Sequence, residues 1–140
     1  MKNIIKTILG ITAIAVLFTI ASCTRVCDLG YEGDHCVTPV RDKFAGTFNG
    51  TQTCSAATDT FSIAIIPISG DVTKIKINNI YNAGFNTIGT VLANGSITIA
   101  PQTFGTGTIS GSVTNNGKIN ISYVVTIAGL TDANCTWVQK

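Results

Sequence analysis

The chain has 140 residues, with nine Lys or Arg against seven Asp or Glu and a single histidine. That length limits it to one domain with a modest core. The weak net charge excludes the broad basic surface that nucleic acid requires. One histidine leaves little for triad catalysis or a His-rich metal site.

Residues 1–22 have the organisation of a secretory signal. Lys2 and Lys6 form a short basic region, and Ile8 to Ile20 is an apolar run interrupted only by Gly and Thr. As a helix that run would extend roughly 20 Å, short of a bilayer core of about 30 Å. It suits an export signal rather than a membrane span. Without these residues the side-chain charges balance, seven of each sign, and no basic patch remains.

The four residues Ile20-Ala21-Ser22-Cys23 resemble the lipobox of bacterial lipoprotein precursors: a branched apolar residue, two small residues and a cysteine. The resemblance implies cleavage before Cys23 and triple acylation of that cysteine, palmitate-type chains included. Multiple acyl chains give stable anchoring where one is marginal. The expected partner is thus a membrane, reached through Cys23. Thr24 is not the aspartate that retains many such proteins at the inner membrane, so the outer membrane is expected, on either its periplasmic or its external face.

Assigning Cys23 to lipid leaves Cys27, Cys36, Cys54 and Cys135, which allow three pairings. Cys27 and Cys36 bracket a short loop eased by Gly30 and Gly33. Cys54 and Cys135 fall near the first and last expected strands of the C-terminal region. The expected bonds are therefore Cys27–Cys36 and Cys54–Cys135, formed outside the reducing cytoplasm. The segment from Cys27 to Cys36 resembles the end of an EGF-like module, with Gly30, Tyr31 and Gly33 in the glycine and aromatic positions. Arg25 stands where that family has a further cysteine, and the other disulfides are absent. Residues 23–43 are accordingly read as lipid anchor and truncated EGF-like spacer.

From residue 44 to 140 the expectation is an all-β domain. After residue 22 the chain holds 14 Ile, 18 Thr and 9 Val, against three Leu and one Glu. Such β-branched residues suit pleated strands and disfavour helices. Lys118–Ile127 has an apolar residue at every odd position, and shorter alternations occupy Lys74–Asn78, Ser96–Ile99 and Thr108–Thr114. Less regular strands are expected at Phe44–Cys54, Thr60–Ile68, Thr87–Ala93 and Cys135–Gln139. Asn94-Gly95, Asn115-Asn116-Gly117 and Ser69-Gly70-Asp71 supply the hairpin turns. About eight strands form an antiparallel meander, closed or partly open as a barrel, with a two-sheet sandwich as the alternative. Closure would set Cys54 and Cys135 among inward-facing side chains. The segment from Lys43 to Phe48 is similar to the opening strand of lipocalin-like barrels. The whole architecture resembles small lipoproteins of Bacteroidetes-type bacteria, a likeness that implies no particular activity.

No catalytic constellation emerges. His35 lies in the small loop. Asp59, Asp71 and Asp132 stand beside turn residues, where aspartate bonds the backbone. Asp28, Glu32 and Asp34 form a solvated acidic loop, so no metal or cofactor is expected. The sequons at Asn49, Asn94, Asn120 and Asn134 reflect composition, and Trp137 and Tyr123 read as core or barrel-mouth residues. The expectation is a non-enzymatic envelope protein whose β domain binds a small apolar or glycan ligand. The alternative is a structural or protein-interaction component of the envelope, and hydrolysis by paired carboxylates is the least favoured reading.

Overall fold

A computed structural model describes residues 26–127 and 130–140. Cys23 and the signal-like segment lie outside the described residues. The chain opens with a ribbon of β1 (Tyr31–Glu32) and β2 (Thr38–Pro39), followed by a 3₁₀ turn, η1 (Val40–Phe44). Eight longer strands come after it: β3 (Gly46–Thr53), β4 (Thr58–Pro67), β5 (Lys74–Ile80), β6 (Phe85–Val91), β7 (Ile97–Phe104), β8 (Gly107–Asn115), β9 (Ile119–Ile127) and β10 (Leu130–Gln139). They pair antiparallel and close into a barrel in the order β10-β3-β4-β5-β6-β7-β8-β9, with the ribbon as a separate sheet. The closed barrel excludes the sandwich.

Alternation sets the faces. In β9, Ile119, Ile121, Tyr123 and Val125 are buried, while Asn120, Ser122 and Val124 are exposed. Because the side-chain period is two, the register commits every strand to one inward set. One register row crosses all eight strands through Lys74, Thr90, Thr98, Ser112, Ser122, Thr136, Thr53 and Thr58. None of these residues is buried, and seven of the eight carry hydroxyls. The row reaches β4 at Thr58, ten residues short of Ile68, whose amide bonds to Lys74 where the circuit began. That offset is the stagger of a closed barrel, and it obliges the strands to tilt. An outward face of Thr, Ser and Asn is the reverse of a membrane-spanning barrel, which turns apolar residues to lipid.

Three register irregularities distinguish the strands from their sequence-based limits. β5 bulges between Asn78 and Ile80, where Asn79 has φ +61°, and so runs past Asn78. β10 shifts between Asp132 and Cys135, where Asn134 has φ +58°; it begins at Leu130 rather than Cys135. β7 extends to Phe104 instead of ending at Ile99, because its break at Ala100-Pro101 is a bulge. Phe44 belongs to η1, so β3 starts only at Gly46.

The third irregularity leaves a weak seam. β6 and β7 pair only at Thr90↔Thr98 and Val91↔Ile97. Pro101 has no N–H to donate to a ladder, which favours separation there. Gln102 bridges the gap with its side chain. Its Oε1 accepts from Ile88 N–H at 2.8 Å, and its Nε2 donates to Ile88 C=O at 2.6 Å. The amide thus offers one donor and one acceptor, as a paired strand residue would. Beyond it the Phe85 and Phe104 rings stack with centroids 3.9 Å apart.

The disulfide Cys54–Cys135 links the end of β3 to β10 across 81 residues of sequence. Replacing both cysteines with serine should cost about 4 kcal/mol in the chain-entropy account, read as a lower denaturant midpoint. The seam gives a smaller, local effect. Gln102→Leu should lower stability by about 1–2 kcal/mol and speed amide exchange at Ile88, leaving the β9–β10 amides unchanged.

Candidate functional site

The barrel interior is filled. Trp137 and Tyr123 are 1% and 2% exposed, which makes them core residues, and Ile63, Ile65, Ile75, Ile77, Ile97 and Ile121 lie around them. A Cβ on Gly50 would come within 2.3 Å of the Trp137 ring, so this position in β3 is hollowed out for the indole. Polar atoms inside are few. Tyr123 Oη donates to Gln52 Oε1, and Thr87 is the other buried polar residue among those described. An eight-stranded barrel is just wide enough for side chains to occupy it. A ligand would therefore have to meet the outside.

The candidate site is a cleft of about 350 Å³ at the end of the barrel where the chain enters. Its walls are the disulfide loop on one side and the β6–β7 hairpin on the other. Leu29, Val40 and Leu92 supply apolar surface; Glu32, Lys43 and Asn94 supply polar groups. The Cys27–Cys36 bond closes the loop with a Cα–Cα separation of 5.2 Å. Gly30, at φ +94°, lies so close to the β4–β5 turn that a Cβ would meet Val72 at 2.5 Å. Its carbonyl accepts from Val40 N–H at 2.8 Å, and Lys43 Nζ pairs with Glu32 at 2.8 Å. The loop expected to act as a spacer is therefore docked on the barrel, where it forms half of the cleft.

η1 fastens this end. Val40 and Phe44 are buried and close the barrel base. Arg41 Nη1 donates to the carbonyls of Ile68 and Asp71 in the β4–β5 turn. In the same turn Asp71 Oδ1 accepts from Thr73 N–H at 2.9 Å and from Thr73 Oγ1 at 2.6 Å, and Lys74 lies 3.2 Å from the other oxygen. These hydrogen bonds, the Thr73 hydroxyl foremost, hold the Asp71 carboxyl below its ordinary value of 3.8. Opposite, Asn94 Oδ1 accepts from Ser96 N–H and Oγ, shaping the hairpin that carries Leu92.

The other residues singled out in the sequence do not converge. Asp59 lies at the far end of the barrel, accepting from Thr60 N–H and Asn82 Nδ2, with Asp71 at the base. A hydrolytic pair from these two is therefore ruled out by distance along the barrel. Asp132 occupies the start of β10. His35, Asp28 and Asp34 are exposed in the disulfide loop, and Glu32 is engaged by Lys43. Among the described residues no three His, Cys, Asp or Glu side chains are grouped to hold a metal. Asn49 and Asn120 face outward, and Asn134 sits at the β10 irregularity. Sequence reasoning missed the cleft, because its walls are joined only by tertiary contacts. It also missed the β5–β6 turn, where Asn79, Tyr81 and Asn82 all have positive φ; the Asn- and Gly-rich run from Asn78 to Gly84 was the available signal.

No known protein family matches the sequence, and comparisons with curated proteins and with solved structures found no match.

The Asp71 environment carries a pH signature. Its lowered pKa means that its contribution to stability is complete above pH 3.8 and is lost as pH falls through the folded-state value. Thermal unfolding followed across that range should show an acid-side decline that Asp71→Asn flattens. A carboxyl titration at or above the ordinary midpoint would contradict the hydrogen-bonded turn.

Proposed function

We propose that the chain is a lipid-anchored, non-enzymatic bacterial envelope protein that binds a small, largely apolar ligand in the cleft at the barrel base. The lipobox-like Ile20-Ala21-Ser22-Cys23 supports the anchor, with Cys23 as the acylated residue and the outer membrane as its location. The observation that carries the binding reading is the cleft itself. Its volume is in the range of small-ligand sites, and it combines apolar walls with a few polar groups. Leu29, Val40 and Leu92 favour an apolar chain over a glycan, since Tyr31 alone supplies a ring.

The alternative, a structural or protein-interaction component, draws on a different observation. The filled interior and the hydroxyl-rich row, with Lys74 its one charged member, make a wall suited to contact with a larger partner. NMR titration of the protein separates the readings. A short-chain phospholipid below its micellar concentration should shift the amides of Leu29, Leu92 and Asn94, and Leu92→Asp should weaken this binding about tenfold, the effect of losing one buried side chain. Silence in the cleft, or a response to glycans alone, would sink the apolar-ligand reading.

A further inference from the structure

We propose that the base of the barrel rests directly on the membrane that holds Cys23, its disulfide loop in the interface and its lysines on anionic phospholipid headgroups. The inference builds on the anchor reading above and names the surface that the anchor brings to the membrane.

The tether comes first. Val26 follows Cys23 by three residues, which can span at most about 11 Å. An acylated Cys23 therefore keeps the disulfide loop within one short reach of the bilayer surface. The loop presents apolar side chains there. Val26 is 92% exposed, Val37 71% and Leu29 52%. Val26 and Val37 each adjoin a cysteine of the Cys27–Cys36 bond, so the disulfide holds them near one another. Leu92, 41% exposed, borders the same cleft as Val26 and Leu29. Exposed apolar groups so concentrated mark an interaction surface.

Charge orients the same end. Arg41 and Lys43 lie in η1, Lys118 lies in the β8–β9 turn, Lys74 opens β5 with Lys76 two residues further in, and Lys140 follows the end of β10. Glu32, Asp71 and Asp42 are within ion-pair distance of Lys43, Lys74 and Arg41. The carboxylates of Asp28 and Asp34 are also on the loop, set against Lys76, Lys118 and Lys140. The far end has Asp59 and the strand position of Asp132. The base thus carries six cations against five carboxylates, while the described charged side chains of the far end are acidic only, so an anionic surface favours the base over the far end.

The test uses mature protein purified from bacterial membranes and reconstituted into phosphatidylcholine vesicles with and without phosphatidylglycerol. Amide exchange is compared between the base turns, 68–73, 92–96 and 116–118, and the far turns, 54–57, 81–84 and 105–106. The base turns should exchange about tenfold more slowly on the anionic vesicles, and Lys118→Glu with Lys140→Glu should remove that difference. Leu29→Ser with Val37→Ser should reduce protection on both vesicle types. Equal exchange at the two ends, or base protection that persists without vesicles because a second copy covers it, would overturn the inference. The mass of the N-terminal peptide tests the anchor separately. Should Cys23 prove unmodified, cosedimentation of that chain with phosphatidylglycerol vesicles decides the surface alone: salt-sensitive binding supports it, and no binding overturns it.

Discussion

The pairing of β3 with β10 is the constraint on which the remaining structure depends. It joins the first and last barrel strands at Thr53↔Thr136 through Gly50↔Gln139, and the Cys54–Cys135 bond fastens the end of that pairing. Closure removes both sheet edges, which in an open Thr-, Ile- and Val-rich meander would be templates for further strand pairing. It also fixes the radius. Eight strands with a ten-residue stagger enclose a space that Trp137, the isoleucines and Phe44 fill, and Gly50 is small because the indole lies against it. A protein closed in this way has no lumen to offer. Whatever it recognises must meet an end or the outer wall.

The two ends are built by different means. At the base, η1 supplies a plug and a clamp in five residues. Val40 and Phe44 bury themselves against the interior while Arg41, between them, reaches the carbonyls of the β4–β5 turn. Asn115 Nδ2 donates to Lys43 C=O from the opposite hairpin, so two turns converge on one short segment. The docked disulfide loop inherits that rigidity through Gly30 and Val40. At the far end, the β5–β6 turn holds Tyr81 at φ +60°, and its ring meets Tyr123 edge-on at 6.4 Å. A bulky residue in the left-handed region persists only where its surroundings over-determine it. Here the Tyr123 ring and the Asn79 side chain, which accepts from Gly84 N–H, do so.

Much of this was legible in the sequence for a simple reason. A strand half-buried in a small barrel must alternate, and Ile119 to Ile127 does so almost without exception, as do Ile75 with Ile77 and Ile97 with Ile99. The first and last strands could be brought together by cysteine parity, because Cys135 shares its parity with Trp137 and Cys54 shares its parity with Phe44 and Phe48. Bulges defeat the same logic. Asn134 in the left-handed region changes the parity of β10 upstream of Cys135, and Pro101 interrupts β7, so each strand looked shorter than it is. Gln102 is a further case. Its amide substitutes for a strand neighbour, and no period in a sequence marks a side chain that acts as backbone. The cleft was hidden more deeply, since Leu29 and Leu92 are 63 positions apart and line one cleft because the loop docks with Gly30 against Val72.

The docking of the loop also gives the Cys27–Cys36 segment a physical role that its length alone does not suggest. An isolated ten-residue loop with one disulfide has almost no core, and Val26, Leu29 and Val37 would be exposed on it in any case. Fixed to the barrel by Gly30, Val40 and the Glu32–Lys43 pair, those side chains become part of a surface with a defined direction. A free loop would have no fixed direction relative to the barrel. A docked one fixes the direction of the loop relative to the barrel axis, so the loop, the base lysines and the cleft share one end, and Asp59 with the strained β5–β6 turn occupies the other.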